Sequence, residues 1–139
     1  MKRKHWLLAA IFVAAVIQVI PVERTNPPVG ETISAPPAVL ATLRESCFAC
    51  HSNQTKWPWY SHVAPISWLV THDVTHGREE LNFTRWGDYD EDERTEKIEE
   101  IWEMVEDGEM PPWFYLPLHP EATLDATDLK TLRRFSEGR

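Results

Sequence analysis

The sequence has few of the residues that build disulfide networks, β-hairpins or basic binding surfaces. Only two of its 139 residues are cysteine, which excludes a multi-disulfide scaffold, and only five are glycine. It has no hairpin signal, internal repeat or low-complexity segment, so it predicts an all-α fold. After residue 22 there are 11 basic and 22 acidic residues. This balance disfavours nucleic acid as a partner and favours a basic protein.

The first 22 residues contain one long apolar run. WLLAAIFVAAVIQVIPV spans residues 6–22, follows three basic residues and is polar only at Gln18. A helix of this length is about 26 Å long, close to the shortest span of a bilayer. The sequence therefore predicts an N-terminal transmembrane anchor over residues 1–22, with the domain on the periplasmic side of a bacterial inner membrane. A cleaved signal peptide, cut near Val13-Ala14-Ala15, is the alternative.

Behind this run, an irregular segment precedes the helical domain. Residues 23–37 contain four prolines and one glycine without a helical period, so they predict an extended tether. Residues 38–139 form the predicted domain. Apolar periodicity and end signals predict its helices at about 38–47, 65–76, 91–107 and 126–136.

Individual residues mark the ends of these helices. Asp90 and Glu93 match a capping box at the start of the third helix, and Asp125 is placed to cap the fourth. Gly77 and Gly108 are predicted to end the second and third helices. Glycine suits these positions because it easily adopts the left-handed conformation of a helix C-terminus.

The two cysteines lie together in Cys47-Phe48-Ala49-Cys50-His51, a C-x-x-C-H. That spacing suits covalent attachment of haem, because each thiol adds to one vinyl group and the adjacent histidine meets the iron. One covalent haem c is therefore the predicted cofactor. The alternative is a haem-free domain in which Cys47 and Cys50 form a disulfide or hold zinc with His51. No second Cys/His pair with standard spacing completes such a zinc site.

A haem iron held by His51 has one axial position left, and its occupant separates electron transfer from reaction with small ligands. Met110 is favoured, because its loop is stiffened by Pro111 and Pro112 and follows a helix directly. The other residues with a suitable donor atom are Met104, His62, His72, His76 and His119.

Aromatic residues near these motifs are the predicted surroundings of the haem. Their rings would shield the porphyrin, and their N–H and O–H groups would reach its propionates. These residues are Trp57, Trp59, Tyr60, Trp113 and Tyr115. His72 and His76, four residues apart on one helix face, form a pair that suits a second metal, but no third ligand is near them in the sequence.

The motifs resemble those of the class I cytochromes c: a helix leading into C-x-x-C-H, a Met-Pro loop 59 residues after the histidine, and a closing helix. More narrowly, CFACHSNQTKWPWY, APISWLVTHDVTHGREELNF, GEMPPWFY and LHPEA are similar to the small monohaem "haem-binding domain" family of exported bacterial proteins. The resemblance covers residues 22–136. It implies a cytochrome c-like helical domain around one haem attached through Cys47 and Cys50. It also implies His51 and Met110 as the axial ligands.

The sequence thus predicts a carrier of single electrons rather than an enzyme. An iron with constant His/Met coordination in a dry site rearranges little on gaining an electron. We expect redox proteins as partners, through a basic docking surface or a membrane respiratory or photosynthetic complex, because twelve acidic residues lie between positions 88 and 109. The alternative function is a haem peroxidase, or a gas or redox sensor with an open or displaceable sixth ligand.

Overall fold

Five α-helices and four 3₁₀ turns are present in residues 2–138, which are the residues that the structure, a computed structural model, describes. Met1 and Arg139, the outermost residues of the predicted anchor and domain, lie outside them. The α-helices are α1 (Lys2–Ile17), α2 (Pro37–Ser46), α3 (Ile66–Glu80), α4 (Glu91–Glu106) and α5 (Ala126–Ser136). The 3₁₀ turns are Trp59–His62, Trp86–Asp88, Leu116–Leu118 and Pro120–Ala122. No strand occurs between residues 2 and 138, and the predicted all-α class is confirmed.

The apolar N-terminal run forms α1, which is shorter than the predicted anchor. The helix has 16 residues, and its first turn is the basic segment that begins at Lys2. Sixteen residues rise roughly 24 Å, less than the roughly 30 Å of a bilayer core. Within the described chain, no helix combines the length and apolar character needed to cross a membrane. The predicted transmembrane helix is therefore wrong, and the inner-membrane location inferred from it has no support.

Residues 23–37, predicted as a tether, lie along the domain and are hydrogen-bonded to it. The Arg24 guanidinium donates to the Ser61 carbonyl at 3.1 Å. Further along, the Ile33 amide donates to the Phe83 carbonyl at 2.8 Å, and the Ile33 side chain is buried in the main core. We call residues 23–37 the N-terminal strap, because hydrogen bonds near both ends of this segment join it to the domain surface.

Local signals place the domain helices close to their predicted bounds. Asp90 accepts from the Glu93 amide at 2.9 Å and its own amide donates to the Glu93 carboxylate at 2.9 Å, which forms the predicted capping box. Asp125 caps α5 in the same way. Gly108, with a φ of 73°, follows the end of α4.

Gly77, the predicted end of the second domain helix, lies inside α3, which continues to Glu80. A Cβ at this position would lie 3.1 Å from the Cys50 carbonyl oxygen, closer than nearly all real Cβ contacts. The absence of a side chain therefore lets α3 approach the cysteine segment. The predicted end is wrong because the glycine serves close packing and not a left-handed helix terminus.

The helices pack in two groups. α5 packs against both α4 and α2, while α3 packs against the turn Trp59–His62. The first group encloses the main hydrophobic cluster, whose fully buried members include Leu43 and Phe83. The Phe83 ring stacks on Phe48 at 5.1 Å, and its amide donates to the His51 carbonyl at 2.9 Å. The main core is therefore joined directly to the cysteine segment.

Candidate functional site

Cys47, Cys50 and His51 are brought together by a turn that continues α2. The amides of Cys50 and His51 both donate to the Cys47 carbonyl, at 3.2 and 3.0 Å. Both thiols are free. Burial, together with a smaller effect of the neighbouring Cys50, raises the pKa of Cys47 from 9.0 to about 12. Burial is also the main reason that the pKa of Cys50 is raised to about 11, with Asp73 contributing to the rise and Arg78 opposing it. Both side chains are therefore protonated thiols at neutral pH.

The orientation of the His51 ring is set by a backbone carbonyl. Nδ1 lies 3.2 Å from the Leu81 carbonyl oxygen, which can only accept, so Nδ1 carries the proton. Burial lowers the pKa of His51, although hydrogen bonds to the carbonyls of Leu81 and Gly77 partly oppose it. The ring is therefore neutral at pH 7, and Nε2 keeps the lone pair that a metal ligand needs.

An apolar cavity of about 300 Å³ opens beside Cys50. One wall is formed by α3 and the opposite wall by residues 114–119. The wall side chains Leu69 and Leu118 are 50% and 62% exposed, although both are large and apolar. Ile66, Val70 and Val74 complete the α3 wall. A wider groove of about 490 Å³ on α5 is lined by charged side chains and contains none of the predicted site residues.

Three polar side chains form a hydrogen-bonded chain from this cavity to solvent. The Tyr60 hydroxyl lies 2.5 Å from Nε2 of His119, and Nδ1 of His119 lies 3.0 Å from a carboxylate oxygen of Glu121. Tyr60 is only 8% exposed, whereas the Glu121 side chain is 53% exposed. The Tyr115 ring stacks on the His119 ring at 4.0 Å, with the two planes 10° apart. We call this arrangement the Tyr60–His119–Glu121 chain.

The ionisation of these groups follows their positions. The hydrogen bond from His119 lowers the pKa of Glu121, so its carboxylate is charged at neutral pH. Burial raises the pKa of Tyr60, and Cys50 and Glu121 raise it further. Burial is also the main cause of the raised pKa of Tyr115. Both phenols therefore keep their protons over the physiological range.

The structure separates the predicted site residues into distinct places. Four of them line the cavity: Cys50, Trp59, Tyr60 and Tyr115. Cys47 and Met110 pack against the main hydrophobic cluster instead. Trp57 has a buried Nε1 with no hydrogen-bond partner among the described residues, and the Arg78 guanidinium lies over its ring at 5.9 Å. Trp113 is 80% exposed and stays outside the cavity lining.

The other residues considered as iron ligands differ in their exposure and in whether hydrogen bonds already occupy the atoms that could bind iron. Met110 follows α4, where its amide donates to the Met104 carbonyl at 3.0 Å. His72 and His76 are exposed, with ring centroids 4.3 Å apart. Both nitrogens of His119 are already hydrogen-bonded, which leaves neither for iron. Among residues 2–138, no group of three or more His, Cys, Asp or Glu side chains is arranged to hold a metal ion.

Several supporting residues lie outside the predicted set. Arg78 donates to the Ser52 carbonyl at 2.7 Å and to the Thr25 carbonyl at 2.9 Å, so it joins the N-terminal strap to the cysteine segment. Asp73 lies in the cavity wall, and burial is the largest cause of its raised pKa. No local pattern identifies Arg78, because these partners are 26 and 53 positions away. The one local signal of this contact region is Gly77, because a glycine inside a strong helical pattern usually has a packing or functional reason.

The residues around the cavity fit a flat, apolar group with charged edges. Apolar side chains on both walls are half exposed and would lose contact with water if the cavity were filled. Lys56, which also lines the cavity, supplies an ammonium group that suits a carboxylate. The volume lies at the lower end of the roughly 300–1,000 Å³ of small-molecule sites. These features agree with a bound haem.

Comparison with known proteins gives one match. A family model described as "Haem-binding domain" matches residues 12–137, which include the cysteine segment and every residue that lines the cavity. No curated protein and no solved structure matches the chain.

Proposed function

This chain belongs to the haem-binding domain family and binds haem, and from that premise we propose that it carries single electrons through one covalent haem c. The observation that carries the proposal is the neutral, carbonyl-anchored His51 ring, in one turn with two free thiols, of which Cys50 lines an apolar cavity. Haem bound there supplies an iron that alternates between ferric and ferrous by accepting and releasing one electron.

Cys47 and Cys50 are the residues that we assign to covalent attachment. Each thiol adds its sulfur and its hydrogen across one vinyl group, so a thioether forms without a leaving group. The wild-type protein should therefore keep its haem stain on a denaturing gel, and the double variant Cys47→Ser/Cys50→Ser should lose it. Met110→Ala serves as the control that keeps the stain. A wild-type protein that releases its haem on denaturation would refute the attachment.

His51 and Met110 are the residues that we assign as axial ligands. Nε2 of His51 has a free lone pair, and the thioether of Met110 lies on a loop that packs against the same cluster as Cys47. Met110→Ala should abolish the methionine-to-ferric charge-transfer band at the red edge of the visible spectrum. Met104→Ala, six residues earlier in the chain, should leave the band intact. Absence of the band from the wild type would exclude methionine ligation.

The surface of α4 supports a basic redox protein as the partner. The helix begins with three acidic residues in its first turn, and its carboxylates continue along the exposed face to Glu106. A surface of one charge sign speeds encounter with an oppositely charged protein and becomes less effective as salt screens it. We therefore expect electron exchange with such a partner to slow as the ionic strength rises.

A haem enzyme or gas sensor is a second candidate, because Met110 does not line the cavity whereas Tyr60 and His119 do. In that case the sixth position is open or its ligand leaves readily, and the cavity side chains meet a small ligand. Mixing the ferrous protein with carbon monoxide separates the two candidates. Rapid, complete binding favours the sensor or enzyme, and slow binding favours the carrier.

A further inference from the structure

The Tyr60–His119–Glu121 chain connects the cavity with solvent. Its inner end, the Tyr60 hydroxyl, is buried in the cavity lining, and its outer end, the Glu121 carboxylate, is in water. His119 lies between them with both ring nitrogens hydrogen-bonded. A row of groups that can each give and receive a proton is a route for proton movement.

We propose that the protein couples electron transfer to proton uptake, with His119 as the group that takes the proton. The proposal rests on the proposed function, because it needs a one-electron centre in the cavity. An electron entering the site adds a negative charge beside groups that are partly shielded from water. A nearby base then binds a proton more tightly, because opposite charges in a region of low dielectric attract strongly.

The hydrogen bonds show how His119 accommodates the proton. In the neutral ring, Nδ1–H donates to the Glu121 carboxylate and Nε2 accepts from the Tyr60 hydroxyl. After protonation, Nδ1–H still donates to Glu121, and the new Nε2–H donates to the Tyr60 oxygen. The Tyr60 hydroxyl hydrogen is then free to point into the cavity. The added proton comes from solvent and binds the Nε2 lone pair, and the electron comes from the redox partner, so charge and atoms balance.

The groups around His119 accommodate a positive charge on its ring. The charged Glu121 carboxylate stabilises the imidazolium, while the stacked Tyr115 ring and the buried Tyr60 phenol remain neutral. The remaining titratable or charged groups of the cavity lining are Cys50, Lys56 and Asp73. A positive charge on the His119 ring is disfavoured by Lys56 and favoured by Asp73.

The test is the redox equilibrium of the haem-loaded protein, followed by spectroelectrochemistry between pH 5 and 9. In the wild type we expect the reduced-to-oxidised ratio at a fixed applied potential to fall as pH rises, by up to about tenfold per pH unit. His119→Gln should remove this dependence while leaving the visible spectrum unchanged. His62→Gln, an exposed histidine of the Trp59–His62 turn, is the matched control and should keep it.

Two further variants probe the two ends of the Tyr60–His119–Glu121 chain. Glu121→Gln should move the dependence to lower pH, because the imidazolium loses its anionic partner. Tyr60→Phe should weaken the dependence, because the link to the cavity is lost. A histidine NMR titration of the wild type in both redox states provides a measurement without mutation. It should show His119 holding its proton to higher pH in the ferrous than in the ferric protein, as linkage requires.

The outcomes separate this inference from the proposed function. A reversible one-electron couple that does not change with pH overturns the proton coupling and leaves the carrier intact. An unchanged pH dependence in His119→Gln also overturns it, and so does a spectral change that identifies His119 as an iron ligand. Absence of any reversible couple overturns the proposed function and, with it, the coupling.

Discussion

The closed half of the domain, formed by α2, α4 and α5, differs from the open half, formed by α3, the Trp59–His62 turn and residues 114–119. In the closed half, Leu43 is fully buried among side chains supplied by the chain itself. In the open half, Leu118 is 62% exposed although it lines a cavity. A leucine of the closed half is therefore enclosed by apolar side chains, whereas a leucine of the open half is mostly in contact with water.

The cysteine segment lies where the two halves meet. Cys47 packs against the cluster of the closed half, and Cys50 lines the cavity of the open half. Haem bound at this position would cover walls that the polypeptide leaves bare. The two halves therefore differ in that the main core is filled by the described residues themselves, whereas the apolar cavity walls face open space.

The largest contrast is expected between Leu43→Ala and Leu118→Ala in the haem-free protein. Leu43→Ala should lower the free energy of unfolding by roughly 2–5 kcal/mol, because it leaves a void in a packed core. Leu118→Ala should change it by less than about 0.5 kcal/mol, because the side chain is already mostly in water. Urea unfolding measures both. Loading with haem should enlarge the effect of Leu118→Ala only, and equal effects in both states would break the comparison.

Gly77→Ala tests the contact that joins α3 of the open half to the cysteine segment. The added methyl group would lie 3.1 Å from the Cys50 carbonyl oxygen and 3.3 Å from its Cβ, so α3 must move away. Overpacking of this kind costs roughly 1–3 kcal/mol. We expect a lower unfolding midpoint and slower haem attachment. Thr75→Ala, an exposed change on the same helix, should affect neither, and a Gly77→Ala protein of wild-type stability would contradict the close approach.

The ionisation of the two thiols also distinguishes the halves, because Cys47 packs in the closed half and Cys50 lines the cavity of the open half. The pKa of Cys47 is raised to about 12 and that of Cys50 to about 11, mainly by burial. Because only the thiolate reacts, raising the pH should increase alkylation of both. Cys50 should react faster than Cys47 in haem-free protein below pH 10, because its pKa is raised less and it lines the cavity. Mass spectrometry of iodoacetamide-treated protein measures the order, and in urea the two rates should become similar.

The smallest stability effect is expected for the double variant Glu99→Gln/Glu103→Gln on the exposed face of α4. Surface changes of this kind usually alter stability by less than about 0.5 kcal/mol. The rate of electron exchange with a lysine-rich redox protein should nevertheless fall at low salt, and the difference from wild type should vanish at high salt. A rate that does not respond to either change would remove α4 from the docking surface.

Elements whose signals are local could be predicted from the sequence. The capping boxes at Asp90 and Asp125 act within one helical turn, so three neighbouring residues suffice to place each helix start. The apolar periodicity that predicts a helix at about 65–76 is likewise local, and this helix corresponds to α3. The C-x-x-C-H identified haem before any fold was known, and the family match supports haem binding.

Features that depend on distant residues could not be predicted. The His119 partner Tyr60 lies 59 positions earlier in the chain, and nothing in either local sequence indicates the other. Gly77 carries a signal that resembles a helix stop, yet its neighbour Cys50 determines its use. The predicted transmembrane anchor is wrong because a run of apolar residues does not show where a helix begins and ends. The basic residues became the first turn of α1, and the helix ended at Ile17.

Arg78 has a consequence for where the smallest foldable unit of this protein begins. Its guanidinium donates at once to the Thr25 carbonyl, the Asn26 side chain and the Ser52 carbonyl. A polypeptide started at residue 38, the predicted first residue of the domain, would leave this cation without two of those acceptors. Any shortened version that is meant to take up haem should therefore begin before residue 24.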